Sequence, residues 1–297
     1  MRYRVLATDY DNTLATDGLV PADTRRALEK LRASGRDAVL VTGRELDDLL
    51  AIFPEATRVF SRIVAENGGV VYRPDTNERR LLAGPPPAAF VASMRERGVV
   101  HLGVSETLVA TVRPYERIAL DAIRDLGLDL HVVFNGDAVM IVAPGISEAS
   151  GLVAALDELG LSSHNAVGVG DGENDHPLVD VCECGVAVAN AVPSLREQAD
   201  VVTDAVAGAG VIALIDELLA NDLAARVVRR RELLLGTQAG TGAEVRLAPY
   251  GTVMLVTGPP QARAQIRRRT AHSRAQLLLP RPATEAEPAR AQPHALC

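Results

Sequence analysis

One lysine, Lys30, is present in the whole sequence, and arginine supplies the other 30 of the 31 basic residues. That bias fits a GC-rich genome, and it leaves no lysine for any site away from residue 30. Cysteine is scarce as well: Cys182, Cys184 and Cys297 are too few for a disulfide framework. Cys182-Glu183-Cys184 has too few partners nearby for zinc and is expected in the core. No apolar run reaches the ~18 residues of a membrane span, and no charged-then-apolar leader opens the chain. A cytoplasmic protein with no membrane partner is expected. The six histidines are scattered, and His176, beside Asp175, is assigned a helix-surface or helix-entry role. The net charge of −7 argues against a nucleic-acid partner.

What is present is apolar bulk in alternating blocks. At 297 residues and 47% hydrophobic content, the chain can bury one large core or two domains. Strand-like runs at 4–8, 38–42, 63–65, 166–170, 185–188 and 200–202 alternate with helical ones. The helices read near 21–34, 44–53, 151–160, 173–181, 193–198 and 210–221. This order predicts an α/β fold, a parallel sheet with helices on both faces and ligands at the carboxyl ends of the strands. Between residues 73 and 144 the pattern changes. Gly84-Pro85-Pro86-Pro87 is a stiff entry to a helix near 87–97, strands at 99–104 and 107–112, a helix near 114–126, and strands at 129–134 and 137–142. Asn135-Gly136 between the last two strands signals a tight hairpin. The αββαββ segment is expected to form a small α+β cap over the sheet, where Arg113 and His101 have ordinary surface roles.

The chemistry-bearing residues fall at the ends of apolar runs. Asp9-Tyr10-Asp11-Asn12-Thr13-Leu14 follows Val5-Leu6-Ala7, so a buried strand delivers two carboxylates into the next loop. Period-2 geometry points both the same way if the strand extends that far. Such a pair suits a divalent cation, or a nucleophile beside a proton carrier, although an acidic turn alone has the same composition. Val39-Leu40-Val41 leads to Thr42-Gly43-Arg44, where a hydroxyl and backbone N–H groups can hold a phosphate oxygen, or where an ordinary helix simply begins. In Gly168-Val169-Gly170-Asp171-Gly172-Glu173-Asn174-Asp175 the glycines lack dinucleotide-loop spacing, and Asp171 and Asp175 lie about one helical turn apart.

Together these residues resemble the haloacid dehalogenase (HAD) superfamily, in its Cof-like, type IIB phosphatase branch. The likeness covers residues 2–222 and includes Glu66-Asn67-Gly68. It implies a Rossmann-like core at 1–75 and 143–222, with an inserted C2-type cap at 76–142. It further implies Asp9 as the nucleophile that becomes an aspartyl-phosphate, and Asp11 as the acid that protonates the leaving oxygen and then activates water. Mg²⁺ would be held by Asp9, the Asp11 carbonyl and Asp171, with Asp175 in support through water. Thr42, Gly43, Arg44 and Asn174 would bind the phosphoryl group. The implied substrate is a small phosphorylated metabolite, with a sugar phosphate the leading candidate.

Residue 148 departs from this pattern. In Gly145-Ile146-Ser147-Glu148-Ala149-Ser150-Gly151-Leu152 a glutamate stands where the family's third motif has lysine. Losing a charge clamp on a transferring phosphoryl group costs about 2.7–4 kcal/mol, and inverting it should cost more. Either Glu148 turns to solvent and Arg44 supplies the cation, or the chain is a weak or inactive relative that binds a phosphate ligand or a protein. Beyond residue 222, Val245–Leu247 and Thr252–Val256 read as strands. Leu255-Val256-Thr257-Gly258-Pro259 resembles the opening of a fused P-loop ATPase domain without its second glycine, lysine and Ser/Thr, so 223–258 is expected to be a remnant. Residues 261–297 hold seven Arg against two Glu, a net +5 that leaves −12 on 1–260. With few large apolar residues, a basic tail at 259–297 cannot order itself, whether native or frame-shifted.

Overall fold

The computed structural model describes residues 1–226, 228, 233–238 and 240–247. The chain divides into two compact units, Met1–Arg230 and Arg231–Cys297. The first unit opens with β1 (Val5–Thr8), α1 (Ala22–Ala33), β2 (Asp37–Val41), α2 (Leu46–Ile52), α3 (Ala56–Val59) and β3 (Arg62–Ala65). The hairpin β4 (Val70–Arg73) and β5 (Glu78–Leu81) follows. Next come α4 (Ala88–Glu96), β6 (Gly103–Val104), β7 (Leu108–Val112), α5 (Glu116–Asp125), β8 (His131–Asn135) and β9 (Ala138–Val142). The unit ends with α6 (Glu148–Glu158), β10 (Ala166–Gly170), α7 (His176–Val181), β11 (Cys184–Ala187), α8 (Pro193–Gln198), β12 (Val201–Val202) and α9 (Ala207–Asn221).

One eight-stranded sheet runs β12-β11-β10-β1-β2-β3-β4-β5, parallel through β3 and antiparallel at β4 and β5. Its central strands are buried on both faces, which is why they read as unbroken apolar runs rather than alternating ones. Leu6, Leu40 and Ile63 pack with Leu28 and Leu31 of α1 and Val211 and Ile215 of α9 on one face. Val5, Val39 and Val64 pack with Leu152 and Leu156 of α6 and Leu178 of α7 on the other. Glu158 of α6 also ties Arg62 of β3 to Arg73 of β4 at 2.9 and 2.8 Å.

The smaller sheet is antiparallel, in the order β6-β7-β9-β8. Val109, Val139 and Ile141 on one of its faces pack against Phe90 and Met94 of α4 and Ala119 and Ala122 of α5. The expected strand at 99–104 shrinks to Gly103–Val104. Gly98, at φ 81, turns the chain off α4, and the Val99 N–H bonds back to Met94, so these residues close a helix instead of forming a ladder. The segment expected as cap, 76–142, includes β5, which pairs with β4 in the larger sheet.

Cys182 and Cys184 are buried thiols not joined to each other. Among the described residues, no helix is long and apolar enough to cross a membrane. In the second unit, β13 (Leu233–Thr237) pairs antiparallel with β14 (Glu244–Leu247), the latter matching the strand expected at 245–247. The strand expected at 252–256, the loop at Gly258 and the basic tail lie outside the described residues.

Candidate active site

The carboxyl ends of β1, β2, β3 and β10 converge, and each delivers one expected motif. Asp9 leaves β1 with its N–H still in the ladder to Val169, 2.9 Å away, and its side chain is buried. Side-chain oxygens of Asp9, Asp171 and Asp175 lie within 4.8 Å of one another. Asp175 loops back across a short 3₁₀ turn, and its Oδ2 accepts the N–H groups of Asp171 and Gly172, both at 2.7 Å. Its Oδ1 is buried without a conventional donor. Thr13 donates from Oγ1 to Asp171 at 3.2 Å, a contact the sequence reading missed although Thr13 stands inside the first motif. Three close carboxylates, one with an orphaned oxygen, form a hard donor set that fits Mg²⁺.

Asp11 does not join this cluster. β1 ends at Thr8 and Asn12 adopts φ 54, so the period-2 expectation fails before residue 11. The Asp11 carboxylate instead takes a two-pronged bond from Arg44, Nε and Nη2 each at 2.7 Å. The guanidinium also lies 5.4 Å from the Tyr10 ring centroid. Thr42 is buried, with its Oγ1 accepting the Arg44 N–H at 3.2 Å and its carbonyl accepting the Asn67 N–H at 3.0 Å. Beside it, Gly68 has φ 101, and a Cβ there would collide with the Ser147 carbonyl. The Glu66-Asn67-Gly68 turn thus braces the start of α6. Glu66 is itself buried, accepting from the Thr107 N–H and hydroxyl at 2.7 and 2.6 Å and so pinning the smaller domain.

Glu148 faces inward. It is the first residue of α6, after the Ser147 N-cap, and is fully buried. Its Oε1 accepts from Asn174 Nδ2 at 2.7 Å, and its Oε2 is buried without a conventional donor. The solvent-facing alternative fails because the helix starts at 148 rather than 151, which turns this side chain under the loop after β10. Burial, then the charges of Asp175 and Asp9, hold the Glu148 carboxyl well above its usual range. Burial, then Asp175 and Asp171, likewise raise Asp9. Burial, then Asp175, push Asp171 from 3.8 up to about 7. His176, by contrast, turns its ring nitrogens to Gln198 and Ser194.

These shifts carry a sign. A carboxyl raised in the folded state keeps a proton that the unfolded chain has lost, so stability falls as pH rises from about 3.8 to about 7 for Asp171. Glu158 and Asp125, both lowered by arginine partners, titrate below most of that window. Thermal unfolding in chelator should therefore give a lower Tm at pH 8 than at pH 5, and added Mg²⁺ should recover most of the loss. A Tm flat across this range and indifferent to Mg²⁺ would count against a carboxylate-lined metal site.

Residues 6–87 and 124–215 match the model of the haloacid dehalogenase-like hydrolase family. The chain belongs to that family. The gap in the HAD match spans the region of α4, β6, β7 and most of α5, within the smaller domain. A phosphoglycolate phosphatase of Methanothermobacter thermautotrophicus is 32% identical over 221 residues, covering 70% of this chain and 95% of that protein. Another, from Nitrosopumilus maritimus, is 27% identical over 231 residues, covering 73% and 97%. A HAD-like hydrolase of Bacteroides thetaiotaomicron superposes with a TM-score of 0.63 at 18% identity, covering 73% of this chain and 99% of that one. A HAD subclass IIB sugar phosphatase does so with 0.60 at 17%, covering 73% and 98%. At such identities the structural likeness is one of fold, a HAD core with its cap.

Proposed function

We propose that this chain is a Mg²⁺-dependent phosphohydrolase acting on a small phosphate ester through an aspartyl-phosphate on Asp9. The observation that carries this reading is the convergence of buried Asp9 with Asp171 and Asp175 beside Thr42 at the carboxyl ends of a parallel sheet. Asp9 and Asp171 with the Asp11 carbonyl would hold the ion, and Asp175, fixed by two backbone N–H groups, would support it. When bound, the ion offsets repulsion between the Asp9 carboxylate and an anionic phosphate. Asp9 Oδ then attacks phosphorus and the ester oxygen leaves. Asp11, at the rim, would give that oxygen its proton and later take one from the attacking water, a role that requires Arg44 first to release the carboxyl it holds in its two-pronged bond. The Thr42 hydroxyl, oriented by the Arg44 N–H that it accepts, and the Gly43 N–H would present donors to a phosphoryl oxygen. Relatives named phosphoglycolate phosphatase and sugar phosphatase support a small phosphorylated metabolite as substrate.

A second reading rests on Glu148, whose buried carboxyl stands where a cation would serve the reaction. Under it the chain binds a phosphate ligand or a protein and turns over slowly or not at all. Steady-state hydrolysis of an aryl phosphate separates the two. Activity is expected with Mg²⁺, falling roughly 10²-fold or more in excess chelator. Undiminished hydrolysis in chelator would remove the metal from the proposal, and no hydrolysis under either condition would favour the binding module.

A further inference from the structure

Three rows of side chains cross the face of the smaller sheet that points away from α4 and α5. Strand register places Val112, Ala138 and Asn135 in one row, Ala110, Met140 and Val133 in the next, and Leu108, Val142 and His131 in the last. This face looks onto the core motifs. Met140 Sδ lies 3.0 Å from where a Cβ on Gly43 would stand, and Asn135 Oδ1 lies 2.7 Å from the same position on Gly172. The Gly136 N–H donates to Glu173 at 3.0 Å, holding the hairpin tip down beside Asn174. Ala110, Val112 and Val133 keep partial exposure, so this face of the sheet is not closed over by a packed interior.

The chemistry of this roof is narrow. Its inner rows hold one amide, Asn135, and otherwise thioether and aliphatic groups. His131 is at the far end of β8. Arg113 bonds the Gly136 carbonyl at the tip and lies 4.8 Å from the Phe134 ring centroid, and Phe134 packs on the helix side of the sheet. Arg44, below, is committed to Asp11. Among the described residues, these rows offer no cation to a carboxylate on the organic half of the substrate, and a polyhydroxylated sugar would leave most of its hydroxyls unpaired against them.

We infer that the roof formed by Ala110, Met140 and Val133, with Asn135 at its edge, selects esters whose organic part is short, uncharged and largely apolar. This rests on the phosphohydrolase reading for its substrate sense, but the selectivity itself is a binding property and can be measured without turnover. The test is calorimetry on the full chain with Mg²⁺, comparing butylphosphonate with phosphonopropionate, non-hydrolysable isosteres of propyl phosphate and phosphoglycolate. Butylphosphonate should bind tighter by roughly tenfold or more. Val133→Arg, which sets a guanidinium in the middle row, should reverse the order. Equal affinities, tighter phosphonopropionate in the unsubstituted protein, or no binding of either ligand would overturn the inference. If butylphosphonate binds tighter while no ester is hydrolysed, the roof chemistry stands and the hydrolytic reading falls.

Discussion

Replacing Asp9 by Asn is expected to lower kcat by roughly 10⁴-fold or more while the fold persists, since an amide is a poor nucleophile. The structure adds a second expectation with the opposite sign. Asp9 is buried beside Asp171 and Asp175, and its carboxyl is pushed up chiefly by burial and then by their charges. An amide relieves that repulsion, so Asp9→Asn should melt at a higher temperature than the unsubstituted protein when both are in chelator at pH 8. Loss of activity together with a gain in metal-free stability marks a carboxylate placed for chemistry at the expense of the fold. Activity within tenfold of the unsubstituted protein would sink the nucleophile assignment.

The Glu148 series should run the other way, with kcat/KM in the order Lys, then Gln, then Glu. Glu148→Lys restores a cation between Asp175 and Asp9 and should raise kcat/KM roughly 10²-fold. Asn174 Oδ1 and Asp175 Oδ1, both buried without a donor, are ready acceptors for an ammonium. Glu148→Gln keeps an oxygen for Asn174 and offers N–H to Asp175, so it removes repulsion without adding attraction and should give the smaller gain. Three proteins of equal activity would mean that another cation, with Arg44 the first suspect, neutralises the phosphoryl group. Three inert proteins that still bind Mg²⁺ would favour the non-catalytic reading.

Much of the core was legible because its strands are buried on both faces. Val5–Thr8, Asp37–Val41 and Ala166–Gly170 read as apolar runs, and each ends at a residue with chemistry. The gathering of Asp9 with Asp171 and Asp175 was implied by the family resemblance that those ends carry. β5 was illegible because Glu78, Arg79 and Arg80 sit on an exposed edge strand, where charge blocks edge-to-edge pairing and erases any hydrophobic period. The side-chain direction of Asp11 was hidden by the early end of β1, and the inward turn of Glu148 by a helix that starts a turn earlier than its apolar residues suggest. The roof residues were legible as strand residues but not as a site, because only register tells which face of β9 looks down.

Two of the attachments of the smaller domain to the core differ in what water can do to them. At one end the Glu66 carboxylate meets the Thr107 N–H and hydroxyl in a buried pocket, and parting them would strand a charge without solvent. At the other, Glu173 meets the Gly136 N–H in the open, where water replaces either partner at little cost. Thermal agitation therefore works on the two ends unequally. Parting the hairpin tip is expected to cost less than parting the Glu66 corner, as with a jaw whose joint is dry and whose teeth are wet. Any opening of the smaller domain is expected to begin over Gly172 and Asn174, where the tip contact is wet, rather than at the dry corner.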